Sequence, residues 1–529
     1  MASPIRMTGM TSGLDTESIV SALVSNYSSK VDKLKKEQTK LGWKQETWKE
    51  VNTQIYGLYT AAGNLRFSSA YSLKKSVVSD NTKATVSTSN IAAVGSHTLQ
   101  ITSLAKSAYW TGSKIKALET DKNPTGKVTE GTALTYLLRG KDKTNEAGEV
   151  VGTEYGLADS FEGTGYIKVK SGDKEKLIEV NGDTTIASLK TQFAEVGINL
   201  NLDEGNQRIF LNAAKSGAAN DFSVEAVDAD GNAVTSGSSF AALEVLGIGT
   251  KANKITGSDA KFIVDGTEYT SDSNTITVNG LTINALAKTT EEITINTSAD
   301  VQGLYDKIKD FFTQYNNVIN DLTSRYNAES AKDMQPLTDK EREAMGESTA
   351  NKYEDKIKNS LLRRDTTLDT IISTMNRSMM AGLEINGEKI SLGTYGIQTL
   401  GILNASSNEQ YALHINGDAD DSAVSGKEDK LMKALTDDPD TVMQFMQKLF
   451  SGIYDELGQK MKSTTMSSAY TVYNDKQMEK EYKSYNSLIK QWEDKVEEME
   501  DRYYKKFAKM ESALSNLNSQ QSSISGFFQ

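Results

Sequence analysis

The chain carries a long apolar stripe near its N-terminus. Apolar residues recur with 4-3-4-3 spacing over 20–48, interrupted by the polar residues Gln38 and Gln45, and the stripe shifts by three residues over 51–65. A seven-residue repeat of this length predicts a coiled-coil helix from Asp15 to Arg66, about 75 Å long. Such a helix is too long for a compact globule.

The stretch SGLDTESIV supplies the start of this helix. Either Ser12 or Asp15 can cap it, since Ser12 with Asp15 three residues later resembles a capping box.

The C-terminal fifty residues repeat the pattern. The 4-3-4-3 step runs over 478–503, a four-residue stutter follows at Phe507, and the step resumes to Phe528. Neither terminal segment contains a proline. The spacing predicts a second coiled-coil helix, and an amphipathic helix on an ordinary core is the alternative.

Residues 74–299 alternate apolar and polar positions between Gly, Asn and Asp turns, which predicts β-strands. Asn181-Gly182 and Asn279-Gly280 predict hairpin turns. The Gly- and Thr-rich segment Thr111–Gly165 is interpreted as an insertion with a longer loop. The strands are predicted in KATVSTSN, SHTLQITSL, YIKVKSG, KLIEVNGDTTI, RIFLNAA, KFIVDGTEYT, TITVNGLTINAL and EEITINTSA.

Helical periodicity returns after Asp300. Asp438 as a cap and Pro439 at the first helical position predict the start of a helix over Asp440–Tyr454. The nested order of helix, helical tier, β modules, helical tier and helix predicts an α+β protein. We expect an elongated multidomain rod with N- and C-terminal coiled-coil helices, a helical-bundle tier and inserted antiparallel β modules.

Composition narrows the functional classes. The 529 residues are 37% hydrophobic and 25% charged, with a net charge of −12. A length of this size indicates roughly three or four domains. The acidic balance argues against nucleic-acid binding, and no apolar run approaches the roughly 18 residues of a membrane span. The N-terminal residues show no apolar core of a secretory signal.

The chain has no cysteine, two histidines and four prolines. Zinc sites and cysteine nucleophiles are therefore not predicted, and we expect no cofactor, no metal and no enzymatic activity. His97 and His414 are interpreted as surface or turn residues. Few prolines and no cysteines suit a protein that is exported unfolded, although a cytosolic protein is equally compatible with this composition.

Carboxylates offer weak candidates for chemistry. No two of the 71 stand out as a glycosidase pair. Asp228–Asn232 is interpreted as an Asp-Gly turn and Asp418–Asp421 as a solvated loop rather than as calcium sites.

Charge of opposite sign marks the two terminal helices. Lysines dominate residues 30–44 and carboxylates dominate residues 493–501. Solvated faces explain both, and coiled-coil flanking positions that set partner and register are the alternative.

Several segments together resemble the bacterial flagellar filament-capping proteins, the hook-associated protein 2 family. The resemblance rests on SGLDTESIV, LKKEQTKLGWKQETWKEVNTQIYGL, ATVSTSNIAAVGSHTLQITSLA, LGTYGIQTLG, KLMKALTDDPDTVMQFM and the heptads ending in SSISGFF, in that order. Residues 180–217 are similar to the hook-type "IN" motif of axial flagellar proteins. Thr111–Gly165 departs from the pattern, which leaves an enlarged or rearranged outer β module.

The resemblance implies a domain plan. The expected divisions are terminal coiled-coil segments that are disordered before assembly (1–42 and 480–529), a helical-bundle domain (43–73 and 300–479), an inner β domain (74–112 and 251–299) and an outer β domain with the IN motif (113–250).

The resemblance also implies a function and partners. It implies export through the flagellar type III channel without a cleaved signal, an extracellular place at the filament tip, and a ring of about five copies that retains flagellin and helps it to fold. Flagellin, the hook–filament junction proteins and a cytoplasmic export chaperone are the implied partners.

Heptad stripes need a partner to bury them, so we expect the terminal helices to pair on assembly. Packing within one chain only is the alternative. The expected oligomer or filament contacts are Leu14, Ile19, Val20, Leu23, Val24, Tyr27, Leu514, Leu517, Ile524, Phe527 and Phe528.

Two other functions compete with this interpretation. Another axial flagellar protein, such as a flagellin or junction protein, would share the long terminal helices but lacks a matching LDTESIV. A secreted adhesin for mucin or glycans would carry its function on the β modules.

Overall fold

The computed structural model describes residues 12–527, and of these the side chains at 141–142, 153, 156–160 and 526–527 are not described. The signal-peptide prediction rests mostly on residues 1–11, which lie outside the described residues. The chain divides into two compact units, one of Met1–Ser72 with Val301–Gln529 and one of Leu73–Asp300. This α+β organisation confirms the predicted fold class.

Ten α-helices are found in the described part of the chain. They are α1 Thr16–Leu65, α2 Ile186–Glu195, α3 Gly237–Val245, α4 Val301–Tyr326, α5 Asp339–Met345, α6 Glu347–Asn359, α7 Thr366–Met380, α8 Lys430–Asp437, α9 Pro439–Lys460 and α10 Asp475–Phe527.

The strands fall mainly in the second unit. They are β1 Lys74–Val78, β2 Ala84–Thr88, β3 Gly95–Ser103, β4 Ser107–Lys114, β5 Lys116–Ala117, β6 Leu137–Thr144, β7 Val150–Ser160, β8 Gly165–Ser171, β9 Lys174–Val180, β10 Ile198–Asp203, β11 Arg208–Ser216, β12 Phe222–Val227, β13 Asn253–Ile255, β14 Ala260–Val264, β15 Thr267–Ser271, β16 Thr275–Val278, β17 Leu281–Ala285, β18 Ile293–Ala299, β19 Leu383–Ile385, β20 Glu388–Ile390, β21 Ile397–Gln398 and β22 His414–Ile415.

Helix α1 matches its predicted bounds to within one residue. Asp15 is the cap, because its carboxylate accepts a hydrogen bond from the Ser18 backbone N–H at 3.1 Å. A hydrogen bond from the Ser18 hydroxyl, followed by this backbone bond, lowers the pKa of Asp15. The predicted stripe is buried from Val20 to Leu65, apart from the half-buried Tyr27 and the half-buried positions between Leu34 and Trp48.

The C-terminal half of α1 packs into a helical bundle. Aromatic side chains fill this core, and Phe311 of α4 lies 4.3 Å from Phe450 of α9, measured between ring centroids. Helix α9 begins at Pro439 as predicted, with Asp438 accepting a hydrogen bond from the Thr441 N–H at 3.2 Å. It continues to Lys460, beyond the predicted end.

The second unit contains two β cores. The inner core lies between the sheet β1-β18-β3-β14-β15 and the sheet β16-β17-β2. Asn279-Gly280 forms the predicted hairpin between β16 and β17, with φ angles of 48° and 81°. A Cβ on Gly280 would lie 2.7 Å from the Ala92 nitrogen. This position therefore requires glycine both for its positive φ and for lack of space.

The outer core differs from its prediction in three ways. It contains two helices, α2 and α3, that the alternation did not predict. Asn181-Gly182 leads from β9 toward α2, so the predicted hairpin there is wrong. Thr111–Gly165 contains the expected longer loop at 118–133, but also a sheet of β5, β6 and β7 that was not predicted.

The strand pairing also shifts the border between the two β cores. Strand β4 spans the border expected at 112/113, and β13 pairs with it. Both strands extend the outer sheet β10-β11-β4-β13. The inner core therefore consists of β1 to β3 and β14 to β18, and it lacks β4 and β13, which were expected in it.

Candidate assembly interface

Helices α1 and α10 form an antiparallel pair, named here the terminal hairpin. One apolar cluster joins Val20 and Val24 to Met499, and a second joins Val31 and Leu34 to Ile489. All six side chains are at most 8% exposed. The two predicted stripes are thus complementary to each other, which explains their common spacing.

Polar residues mark the middle of the hairpin. The Gln38 side-chain amide donates a hydrogen bond to the Asn486 side chain at 2.6 Å. The polar residue in the α1 stripe thus has a polar partner on α10. At Gly42 an added Cβ would lie 3.6 Å from the Tyr482 ring, an ordinary van der Waals distance, so the contact does not require glycine there. The Tyr485 hydroxyl donates to Glu37 at 3.4 Å, and burial, followed by Glu37, raises the pKa of Tyr485. Apolar packing is weakest here.

The pairing runs out before α10 ends. The Ser12 backbone N–H donates to the Glu511 carboxylate at 3.2 Å, and the Ser12 hydroxyl also donates to that carboxylate. In an antiparallel pair, residues beyond Glu511 lie beyond Ser12, so no described residue of the N-terminal segment lies opposite them. Residues 512–527 of α10 are named here the α10 overhang.

Four of the expected contact residues lie on the overhang, and the side chains of three of them are described. Leu514 is half-buried, while Leu517 and Ile524 are each 59% exposed. These residues continue the seven-residue stripe, yet no apolar side chain of the described residues covers Leu517 or Ile524. The Phe527 side chain and Phe528 lie outside what the structure describes.

The N-terminal contact residues divide into two groups. Val20 and Val24 are buried inside the hairpin, so in this arrangement they contact α10 of the same chain rather than a neighbour. Leu14 and Leu23 are 45% and 43% exposed. The half-buried Ile19 and Tyr27 lie one turn to either side of Leu23. This intramolecular burial differs from the expectation that the stripe waits unpaired for a neighbour. The order of the terminal segments before assembly stays a prediction.

Ion pairs hold the hairpin and tie it to the bundle. Lys35 lies 2.6 Å from Glu493 across the hairpin, as the charge pattern of a coiled coil suggests. Two other lysines of the basic stretch bind the bundle instead: Lys36 pairs with Glu341 at 2.6 Å and Lys44 with Asp365 at 3.0 Å. The basic face is therefore only partly solvated.

A basic cleft opens where the hairpin leaves the bundle. It has a volume of about 550 Å³, and its lining includes Lys40, Lys44, Lys332, Arg363, Ser330 and Tyr485. The lysines of α1 could be recognised as a basic stretch in the sequence. Lys332 and Arg363, which lie some 300 residues later in loops, were not predicted to join them. No local signal marks them, because only the tertiary fold brings the three segments together.

The histidines and acidic loops prove to be structural. His97 binds Asp265 at 2.7 Å through Nδ1, and this hydrogen bond lowers the pKa of the aspartate. His414 binds Asp421 at 2.6 Å in the same way. Both imidazoles are half-buried, with side chains 16% and 14% exposed, and both residues lie in strands, so the interpretation as surface or turn residues is wrong.

The two acidic loops differ from each other. In Asp228–Asn232, the Asp228 carboxylate accepts the backbone N–H groups of Asp230 and Asn232, which confirms a turn. The loop Asp418–Asp421 is not simply solvated, because Lys309 lies 2.6 Å from both Asp418 and Asp420. Among the described residues, no group of three acidic or histidine side chains is arranged to hold a metal ion. Within the same residues, no helix is both long and apolar enough to cross a membrane.

Comparison with known proteins places the chain in a family. Residues 12–108 match the flagellar hook-associated protein 2 N-terminus and residues 257–519 match its C-terminus. The chain belongs to the flagellar hook-associated protein 2 family. The unmatched middle contains the outer β core, which includes the Thr111–Gly165 region that departs from the family pattern.

Curated relatives carry the same name. The chain is 25% identical to the flagellar hook-associated protein 2 of Halalkalibacterium halodurans over 99% of this chain and 100% of the relative. It is 26% identical to the Thermotoga maritima protein over 68% of this chain and 54% of that one. Among solved structures, the D1-D2-D3 domains of the flagellar cap protein FliD from Escherichia coli are similar at a TM-score of 0.47. They are 16% identical to this chain, covering 83% of it and 99% of that structure.

Proposed function

We propose that the protein is the structural cap at the distal tip of the bacterial flagellar filament. In this role several copies form a ring that retains exported flagellin, promotes its folding and insertion, and so permits filament elongation and motility. The role is mechanical, and no catalytic step is part of it.

The observation that supports this proposal is the α10 overhang. Leu517 and Ile524 repeat the stripe that is buried elsewhere in the hairpin, yet both are 59% exposed. Burying an aliphatic side chain of this size stabilises a contact by about 1.5–3 kcal/mol. A stripe that no described residue of the N-terminal segment lies opposite, in a family of filament-associated proteins, fits a contact that forms on assembly.

The proposal extends to export and partners. The protein travels unfolded through the flagellar type III channel and lies outside the cell at the filament tip. Flagellin and the junction proteins contact it there, and a cytoplasmic chaperone holds it before export. The absence of cysteine from the chain fits this route, because no disulfide has to form after export.

The test is complementation of a strain that lacks its own copy of this gene. One variant combines Leu517→Asp and Ile524→Asp. Its matched control combines Ser519→Asp and Ser522→Asp, which adds the same charge to exposed positions on the other side of the same helix. We expect the control to restore swimming. The overhang variant should be exported but leave short filaments and flagellin in the culture medium.

Immunoblots of the medium for both the variant and flagellin separate loss of export from loss of capping. Wild-type protein that restores neither filament length nor swimming would refute the proposed function. Normal filaments with the overhang variant would refute the role of the overhang alone.

A further inference from the structure

The basic cleft concentrates positive charge in an acidic protein. Lys40, Lys332 and Arg363 line it and make no ion pair with any described residue, whereas the whole chain carries a net charge of −12. Lys44, also in the lining, is paired with Asp365, and Glu37 is the acidic residue of the lining. Three uncompensated cations against one carboxylate leave a surplus of positive charge in the cleft.

The walls of the cleft favour an anion further. Like-charged groups held together repel one another, so a bound carboxylate relieves repulsion as well as forming new bonds. The Arg363 guanidinium can donate two parallel hydrogen bonds to one carboxylate. Ser330 adds a hydroxyl donor in the same wall.

A complementary acidic surface lies on α10. The acidic stretch, defined as residues 493–500, exposes carboxylates on several faces of the helix. Three of its carboxylates make no ion pair with any described residue, namely those of Asp494, Glu497 and Glu500. Glu493 is engaged with Lys35, and Glu498 with Lys495. The unpaired carboxylates therefore remain available to a partner.

The acidic stretch cannot fill the cleft of its own chain. Tyr485 of α10 lines the cleft, and Glu497 follows it by three helical turns on the same continuous helix. At 1.5 Å per residue the two positions are about 18 Å apart. The acidic stretch of a second copy is under no such restraint and can enter the cleft.

We propose that the basic cleft of one copy binds the acidic stretch of α10 from a neighbouring copy. The inference rests on the proposed assembly into a ring and names one contact that holds it. The cleft adjoins the polar middle of the hairpin, where Gln38 and Gly42 replace apolar packing. Occupation of the cleft therefore also fixes the hairpin against the bundle.

The absence of cysteine from the chain permits a direct test. Full-length Arg363→Cys and full-length Glu497→Cys are prepared with different tags, mixed under assembly conditions and oxidised. We expect a disulfide between the two differently tagged chains. The matched control replaces Arg363→Cys by Lys427→Cys, an exposed loop position of the same charge, and should give at least about tenfold less product.

Charge reversal supplies a second measurement. Lys40→Glu with Arg363→Glu should weaken self-association in sedimentation by about tenfold or more, because truncating or reversing charged pairs acts strongly at interfaces. Adding the opposite reversal on α10, Glu497→Lys with Glu500→Lys, should restore association. Circular dichroism of each variant checks that the helices remain.

Each outcome decides the proposal. Cross-linking above the control together with rescue by the double reversal supports it. Equal cross-linking at the control position, or no rescue, overturns it. Inorganic phosphate that protects the cleft from heat while the double reversal fails to rescue would assign the cleft to a small anion, and would also overturn it. In all these cases, wild-type complementation of swimming reports separately on the proposed function.

Discussion

The apolar seam of the terminal hairpin can be tested with two neighbouring residues of α10. Ile489 is 7% exposed and packs against Val31 and Leu34, whereas the adjacent Leu488 is 39% exposed and lies outside that cluster. Ile489→Ala removes buried methyl groups and leaves a cavity, which costs about 2–5 kcal/mol in protein cores. Because only two helices surround this site, they can close on the cavity, and we expect a value near the lower limit.

A loss of about 2 kcal/mol corresponds to a roughly 30-fold larger equilibrium constant for opening of the hairpin. Hydrogen exchange of the full-length protein measures this opening amide by amide. Amides over 20–34 and 485–503 should exchange faster in Ile489→Ala. Those of the second unit, Leu73–Asp300, should not change.

Leu488→Ala is the control, and it should change protection in the hairpin severalfold less. Equal effects of the two substitutions would mean that the seam does not hold the helices together. Wild-type amides over 20–34 that exchange at the rate of an unfolded chain would refute the hairpin in the unassembled protein. That result would instead restore the expectation of terminal segments that order only on assembly.

Three further predictions concern other parts of the chain. Lys309→Met should destabilise the first unit by about 1–3 kcal/mol in urea unfolding, because the Asp418 side chain, which is 11% exposed, loses its cation. An unchanged urea midpoint would contradict the assigned ion pair. The His97 hydrogen bond lowers the pKa of Asp265 below its ordinary value of 3.8, so its stabilising contribution is present above that pH and is lost as the pH falls through the lowered pKa. The difference in urea midpoint between wild type and Asp265→Asn should therefore shrink in strong acid, and a difference that grows there would contradict this assignment. Deletion of residues 480–529 should leave a soluble folded core that does not restore swimming, and motility with this truncation would refute the role of the terminal segment.

The hydrophobic periodicity was sufficient to predict the two longest helices. A seven-residue stripe of fifty residues admits few structures other than a long paired helix, so α1 and α10 could be predicted closely. The strands β14 to β17 were predictable for a similar reason, since their alternation is bounded by Asp-Gly and Asn-Gly turns with positive φ.

Short elements in mixed surroundings were not predictable in the same way. Helix α2 has only ten residues and lies between strands, so its buried Ile186, Leu189 and Phe193 were absorbed into the alternating pattern. Helix α3 is buried on more than one face, which removes the amphipathic signal. The β6 and β7 strands were not predicted because glycines and charged residues interrupt the alternation of LLRGKDKT and VVGTEYGLADS.

The candidate assembly interface could likewise be predicted only in part. The overhang stripe could be predicted from spacing, but its exposure could not, because exposure depends on the register between α1 and α10. The basic cleft depends on Lys40 meeting Lys332 and Arg363, and no periodic pattern relates residues so far apart in the chain.

The chain enters the second unit and leaves it at one place. Strands β1 and β18 are antiparallel neighbours, with Lys74 opposite Ala299, and the Asp300 N–H donates to the Leu73 carbonyl at 3.0 Å. Within the first unit, Lys307 of α4 donates to the Ala70 carbonyl at 2.7 Å, close to where the chain departs and returns. The β modules are therefore a single insertion whose two ends are adjacent. Evolution, or a protein engineer, can exchange or enlarge them while the helices of the first unit keep their sequence.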